Sequence, residues 1–302
     1  MKQARYRQRG PVPQDVIAAV EVETQALQPG QARIEVLAAP INPSDVLILT
    51  GQYGLLPPLP AVGGNEGVGR VVELAADVHA PAIGRVVLLP VGCGTWATHV
   101  VAAAKALVPL PDSGDPQQLS MITVNPPTAR LLLSEFVELQ SGDWVIQNAA
   151  NSAVGGYLMQ LATLRGLKTV NVVRRESALQ GVRESGGDVV LVDGDDLCKR
   201  VREATGGATI RLGIDAVGST ATERLAQSLT EGGVLVNYGA MSGEACALSP
   251  ASLIFRDIRL RGFWLSRWYK AAAPERRAAL FVEIAQLVAS GQLSARIHAI
   301  YG

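Results

Sequence analysis

Histidine and cysteine are scarce, with three of each in 302 residues, and neither is grouped. His79, His99 and His298 have no cysteine or glutamate at ligand spacing, so no metal site is expected. Cys93, Cys198 and Cys246 are odd in number and far apart, which excludes a disulfide framework and suits a reducing compartment. Net charge is formally zero, which argues against a nucleic-acid partner held by bulk charge. No apolar run reaches membrane-spanning length, so no membrane partner is expected. The basic N-terminal stretch has no apolar segment behind it and does not read as a secretory signal. The Ala, Gly and Arg content is that of a bacterial cytoplasmic protein, and a cytoplasmic location is the compositional expectation.

What is present is a βαβ pattern at 143–175. Trp144 to Gln147 reads as a buried strand, Asn148 to Ser152 as a tight turn, and Val154 to Arg165 has helical apolar spacing. Thr169 to Val173 is a second β-branched run, and Arg174 and Arg175 follow it. A helix N-terminus after such a turn is a phosphate seat. About twenty residues past the turn, an acidic residue suits the ribose hydroxyls of NAD and an arginine suits a 2′-phosphate, so the stretch proposes NADPH. The glycine fingerprint is incomplete, because Asn151 and Ala153 stand where glycines are usual. The plainer alternative is an ordinary βαβ turn with a solvated arginine pair.

Before this unit the chain reads as mostly β, with strands expected at 31–37, 68–74, 85–89 and 99–103. Asn42-Pro43-Ser44-Asp45 opens a short helix, with Ser44 or Asp45 as its cap. Tyr53 lies in a Gly- and Pro-rich loop, and four glycines crowd residues 61–69. A helical stretch at 117–139 is expected to break at Asn125-Pro126-Pro127. Behind the βαβ unit, strands are expected at 188–192, 212–216, 234–237 and 259–264. They alternate with helices near 196–204 and 222–229, and an amphipathic helix follows at 274–290. Alternation of this kind predicts a parallel, doubly wound sheet, and the cleft between two domains is the default ligand site.

With these pieces placed, the chain resembles the zinc-independent branch of the medium-chain dehydrogenase/reductase superfamily, and within it the mitochondrial-type 2-enoyl thioester reductases. The resemblance rests on Asn42-Pro43-Ser44-Asp45, the loop from Gly51 to Pro57, Pro60 to Gly67, Gly94-Thr95-Trp96 and Val124-Asn125-Pro126. Gly142 to Asn148, Asn171 to Arg174 and Leu260 to Ser266 complete it. It implies an α/β chain: a GroES-like β-rich catalytic domain over 1–120 and 265–302, C-terminally shortened relative to the family, and a Rossmann nucleotide-binding domain over 121–264. It also implies reduction of the conjugated double bond of a trans-2-enoyl thioester, on coenzyme A or acyl carrier protein, in a homodimer. Asn42, Asn65 and Asn125 take the places of the zinc ligands of the metal-dependent relatives, and an amide is a poor zinc ligand.

The site implied is specific. Tyr53 is the acid or oxyanion donor, and Trp264 lines the nicotinamide and substrate pocket. Asn151, Ser152, Ala153 and Val154 meet the pyrophosphate, Arg174 and Arg175 the 2′-phosphate. Asn125 faces the nicotinamide ribose or amide. Tyr238, Gly239, Ala240 and Met241, with Phe263, Leu265 and Ser266, complete the cofactor site. Glu66 reads as a brace for the Gly-rich turn. Two other functions are compatible with the sequence: a quinone or alkenal reductase, and a catalytically silent NADPH-binding protein.

Overall fold

Strands buried on both faces need nearly continuous apolar runs, and the second half of the chain supplies them. The computed structural model describes residues 1–111 and 114–301. Its residues form two compact units, Met1–Val124 with Phe281–Gly291, and Asn125–Leu280 with the residues from Gln292 on. The expected return segment 265–302 is thus divided between the units, and the break near residue 120 falls at 124/125.

The first unit holds β1 (Lys2–Tyr6), β2 (Ile17–Glu21), β3 (Gln31–Ala38), α1 (Pro43–Thr50), β4 (Ala61–Val62), β5 (Val68–Leu74), β6 (Val86–Leu88), β7 (His99–Ala103), β8 (Val108–Pro109) and α2 (Pro116–Leu119). They make two antiparallel sheets, ordered β2-β1-β4 and β7-β3-β5-β6-β8. Ala32, Ile34, Val71, Val87, Leu89 and Val100 are the buried core of the larger sheet. Gly69 is required where β5 pairs with β3, because a Cβ there would meet the Glu35 carbonyl oxygen at 2.4 Å. Strands β1 and β2 carry no signal in the sequence, since only Tyr6 of β1 is fully buried and the alternation is weak.

Helix α1 is capped differently from the expectation. Asn42, not Ser44 or Asp45, is the N-cap, and Asp45 sits at the third helical position, where its carboxylate accepts from the Asn42 amide at 2.7 Å. Pro43 occupies the first helical position, where its missing N–H costs nothing. Gly51 ends the helix in the left-handed region at φ 78°.

The second unit holds α3 (Asn125–Leu132), β9 (Trp144–Gln147), α4 (Ala153–Leu164), β10 (Lys168–Val173), α5 (Leu179–Glu184), β11 (Val189–Val192), α6 (Leu197–Thr205), β12 (Ile210–Asp215), α7 (Ser219–Ser228), β13 (Val234–Asn237), β14 (Arg259–Gly262) and α8 (Leu265–Ala271). Helix α9 (Pro274–Ala289) spans the residue at which the two units divide. The prolines do not break a continuous helix. They lie in the first turn of α3, which ends at Leu132, and 133–137 is turn and bend.

Six parallel strands run in the order β11-β10-β9-β12-β13-β14. Ile146, Val170, Val172, Leu212 and Leu235 are at most 1% exposed. The strand order reverses direction between β9 and β12, so the carboxyl end of β9 is the topological switch point, where open α/β sheets bind ligands. Strand β14 ends at Gly262, two residues short of the expectation, and all four of its residues are exposed on a sheet edge.

Candidate active site

The turn after β9 is shaped by backbone crowding. Ala149 is held in the left-handed region at φ 46°. Ser152 caps α4, its hydroxyl accepting from the Gly155 amide at 3.1 Å. Gly155 cannot carry a side chain, because a Cβ would lie 2.5 Å from the Ala150 carbonyl oxygen. Asn151 and Ala153 are exposed, so the side chains that replace the usual glycines point where there is room. Val154 is buried. The result is a twelve-residue helix whose first turn opens at the switch point, where a helix N-terminus suits an anion.

The other expected cofactor residues follow the carboxyl ends of neighbouring strands. Arg174 and Arg175 lie exposed just beyond β10, and neither makes a side-chain hydrogen bond or ion pair among the described residues. Tyr238, Gly239, Ala240 and Met241 follow β13. Tyr238 hydrogen-bonds Ser152, and burial pushes its phenol well above the usual range. Gly239 approaches Ala216 so closely that a Cβ would meet the Ala216 carbonyl oxygen at 2.8 Å. Met241 is 64% exposed. Phe263 follows β14 and packs edge-on against Phe136. Trp264, 37% exposed, is the N-cap of α8, and Leu265 and Ser266 are that helix's half-buried first residues. Asn125 is buried at the start of α3.

The element that holds these strand ends together has no sequence motif. Asp215, fully buried at the end of β12, accepts from Asn148 Nδ2 at 2.7 Å and from the amides of Val217 and Gly218 at 2.9 and 3.1 Å. Its second oxygen accepts from Thr222 Oγ1 at 2.7 Å and Asn237 Nδ2 at 3.2 Å. Gln147 donates to Asn171 at 2.7 Å and to the Gly155 carbonyl at 3.1 Å, tying β10 and α4 to β9. The only available signal was polar residues inside apolar runs.

In the first unit, Tyr53 is half-buried in the loop after α1, its ring against the cluster of Tyr6, Ile48 and Leu49. Nearby, Tyr6, Asp45, Asn65 and Cys93 line a cavity of about 150 Å³. Burial pushes the Cys93 thiol up to about 11, so it stays protonated and is no nucleophile. Glu66 is fully buried. Its carboxylate accepts from Asn42 Nδ2 at 2.8 Å, and from the Thr123 amide and hydroxyl at 3.0 and 2.8 Å. Asn65 Nδ2 donates to Asp45 at 2.7 Å. Burial raises both acids despite these bonds, Glu66 to about 7 and Asp45 to about 6.

These bonds bear on zinc. Asn42 and Asn65 turn their N–H groups to carboxylates, and no group of three or more His, Cys, Asp or Glu among the described residues could hold a metal ion.

A family described as alcohol dehydrogenase GroES-like domain matches residues 28–112, and one described as zinc-binding dehydrogenase matches 153–280. The mitochondrial enoyl-[acyl-carrier-protein] reductase of Rattus norvegicus is 38% identical over 289 residues, 94% of this chain and 78% of that protein. Among solved structures, a putative NADPH:quinone reductase from Bacillus thuringiensis superposes with a TM-score of 0.88 at 29% identity, covering 98% of this chain and 90% of that one. The mitochondrial 2-enoyl thioester reductase Etr1p/Etr2p heterodimer of Candida tropicalis gives 0.87 at 27% identity, with coverage of 98% and 90%. Etr1p in complex with NADP and crotonyl-CoA gives 0.86 at 25%, with 97% and 89%. The relatives named as mitochondrial overturn the cytoplasmic location expected from composition.

The buried acid Glu66 has a pH signature. Its carboxyl goes from 4.5 to about 7 on folding, so between those values the folded chain binds more protons than the unfolded one, and stability falls as pH rises. Asp45, raised from 3.8 to about 6, adds to the lower part of that window. Urea unfolding at about pH 5 and about pH 8 should therefore show a smaller loss for Glu66→Gln than for the wild type, by about 2 kcal/mol. Equal losses in the two proteins would show that Glu66 does not titrate in this window.

Proposed function

The chain belongs to the medium-chain dehydrogenase/reductase superfamily, and from that membership we propose that it reduces the conjugated double bond of a trans-2-enoyl thioester at the expense of NADPH. The observation that carries this reading is the 38% identity, over 94% of the chain, to an enoyl-[acyl-carrier-protein] reductase. The acyl carrier is coenzyme A or an acyl carrier protein. We assign the acid–base chemistry to the β-rich unit and cofactor binding to the parallel-sheet unit.

The chemistry the cofactor supplies when bound is hydride delivery to the β-carbon. This chain's residues do the rest. The α4 N-terminus with Asn151, Ser152, Ala153 and Val154 seats the pyrophosphate. Arg174 and Arg175, exposed and without side-chain partners among the described residues, meet the 2′-phosphate through charge-assisted bonds. Asn125 and the segments Tyr238–Met241 and Phe263–Ser266 border the nicotinamide half, with Trp264 lining the pocket. As charge develops on the thioester carbonyl oxygen, the Tyr53 hydroxyl donates a hydrogen bond to it or a proton to the α-carbon. A neutral phenol does this without bringing a formal charge to the site. Stabilisation of the oxygen is assigned to this donor and not to a metal, a reading supported by the Asn42 and Asn65 amides, which donate to carboxylates.

The Bacillus thuringiensis structure favours a second reading, reduction of a quinone. NADPH oxidation followed with crotonyl-CoA and with a simple quinone separates the two. Turnover of the quinone alone removes the thioester reading, and NADPH binding without turnover of either acceptor marks a silent NADPH-binding protein. The unpaired edge at β14 suits pairing with a second copy into a homodimer. Light scattering should give twice the chain mass, and the mass of one chain excludes that assembly.

Two substitutions probe the assigned roles. Tyr53→Phe should lower turnover of crotonyl-CoA about a hundredfold while the NADPH concentration needed hardly changes. Unchanged turnover removes Tyr53 from the mechanism. Arg174→Ala should raise the KM for NADPH about tenfold or more and leave NADH use unaffected. Equal losses with both cofactors would refute the 2′-phosphate role.

A further inference from the structure

We propose that the exposed face of α8, with Arg276 beside it, docks the acidic surface of an acyl carrier protein. The inference rests on the reading of the chain as an enoyl thioester reductase, and it separates the two acyl carriers named there.

The chain as a whole is neutral, but its charge is unevenly placed. Residues 256–277 hold seven Lys or Arg and two Asp or Glu, a net charge of +5. Several of these cations are engaged locally. Arg256 donates to the Ala226 and Leu229 carbonyls, Arg259 pairs with Asp257 at 2.7 Å, and Arg277 donates to the Tyr269 carbonyl at 3.2 Å. Arg267 and Lys270 differ from these. Both are exposed on α8, and among the described residues neither makes an ion pair or a side-chain hydrogen bond. A cation in the last turn of a helix suits its dipole, which accounts in part for Lys270 and not for Arg267.

The packing beneath α8 decides which of its faces is offered. Trp268 and Tyr269 are its half-buried side. Trp268 Nε1 donates to Glu135 at 3.4 Å, and the Arg276 guanidinium lies over the Trp268 ring at 5.2 Å. Arg276 Nη2 donates to the same carboxylate at 2.6 Å. The next residue of that turn, Phe136, has Arg261 over its ring at 6.0 Å and meets Phe263 edge-on. Residues 135 and 136 thus join β14, α8 and the start of α9 side by side. With Trp268 turned inward, Arg267 and Lys270 fall on the outer face. They are three positions apart, which puts about 5–6 Å between their Cβ atoms.

Cations without acids at helical spacing suit a partner with acids at helical spacing. An acyl carrier protein is small and strongly acidic, and it carries Asp and Glu on the helix beside its phosphopantetheine arm. The arm is long and flexible, so the carrier can rest outside the site while its thioester enters. Helix α8 is capped by Trp264, the residue assigned to the pocket, and Arg267 follows three positions later. Coenzyme A has phosphates but no acidic helix to lay along α8. Charge of this kind steers encounter more than it adds affinity, and salt screens it.

The test compares one acyl group on two carriers. The double variant Arg267→Glu with Lys270→Glu should raise the KM for crotonyl-acyl carrier protein about tenfold or more. It should leave kcat and KM with crotonyl-CoA, and the KM for NADPH, as in the wild type, which also shows that the variant is folded. Arg267→Ala and Lys270→Ala alone should give smaller losses in the same direction. Added salt should weaken wild-type use of the carrier-protein substrate and hardly alter that of the double variant. Equal losses with both carriers overturn the proposal, because they place coenzyme A or the fold itself at these residues. An unchanged KM for the carrier-protein substrate also overturns it, as does a wild type that turns over crotonyl-CoA alone. If the wild type turns over neither thioester, the reductase reading falls, and calorimetric titration with holo-acyl carrier protein still decides the docking. Salt-sensitive binding that the double variant loses supports it, and absent or unaltered binding overturns it.

Discussion

A carboxylate taken wholly out of water must have every lone pair answered, and Asp215 is that case in this chain. It is fully buried, and five donors from three parts of the second unit converge on it. Asn148 comes from the turn after β9, Val217 and Gly218 from the turn that leads into α7 and Thr222 from α7 itself, and Asn237 from the end of β13. The carboxyl ends of β9, β12 and β13 therefore meet at one atom group. Breaking a buried charged network by removing one partner costs about 3–5 kcal/mol. These strand ends are consequently placed with far less freedom than loops usually have, which a cofactor seat at the switch point requires.

The first unit uses the same device. Glu66 is fully buried, and neutral donors from Asn42 and Thr123 hold it, while the Thr95 hydroxyl donates to its carbonyl at 2.7 Å. Asp45 is held by Asn65 and by the backbone of Asn42. Amides and hydroxyls answer these acids where a charged partner is absent, and desolvation outweighs them, so both carboxyls are raised. The same bonds occupy the side-chain amides of Asn42 and Asn65. Each has already spent its amide on a carboxylate.

Much of the fold was legible from the period of the apolar residues. The strands at 31, 68, 86 and 99, and the alternation of strand and helix from 144 on, carry their own signal because each buries a face or both faces. The βαβ turn was legible despite its missing glycines. Gly155 faces backbone, at Ala150, whereas Asn151 and Ala153 are exposed. The elements that escaped notice bury little. β1 and β2 are mostly half-exposed or exposed, and the helix expected through 139 stops at Leu132, beyond which 133–137 are turn and bend.

The amino-acid sequence by itself determined the fold class, the switch-point turn with its arginine pair, and the absence of a His–Cys ligand set. Periodicity and local spacing express these, because neighbours along the chain create them. Only the tertiary structure decided which polar groups answer one another: Asp215 with Asn148 across 67 residues, Glu66 with Thr123 across 57, Arg9 with Pro57 across 48. Such pairs leave no periodic trace. Each exists because burial makes an unanswered polar group costly and the folded backbone brings the partner within reach.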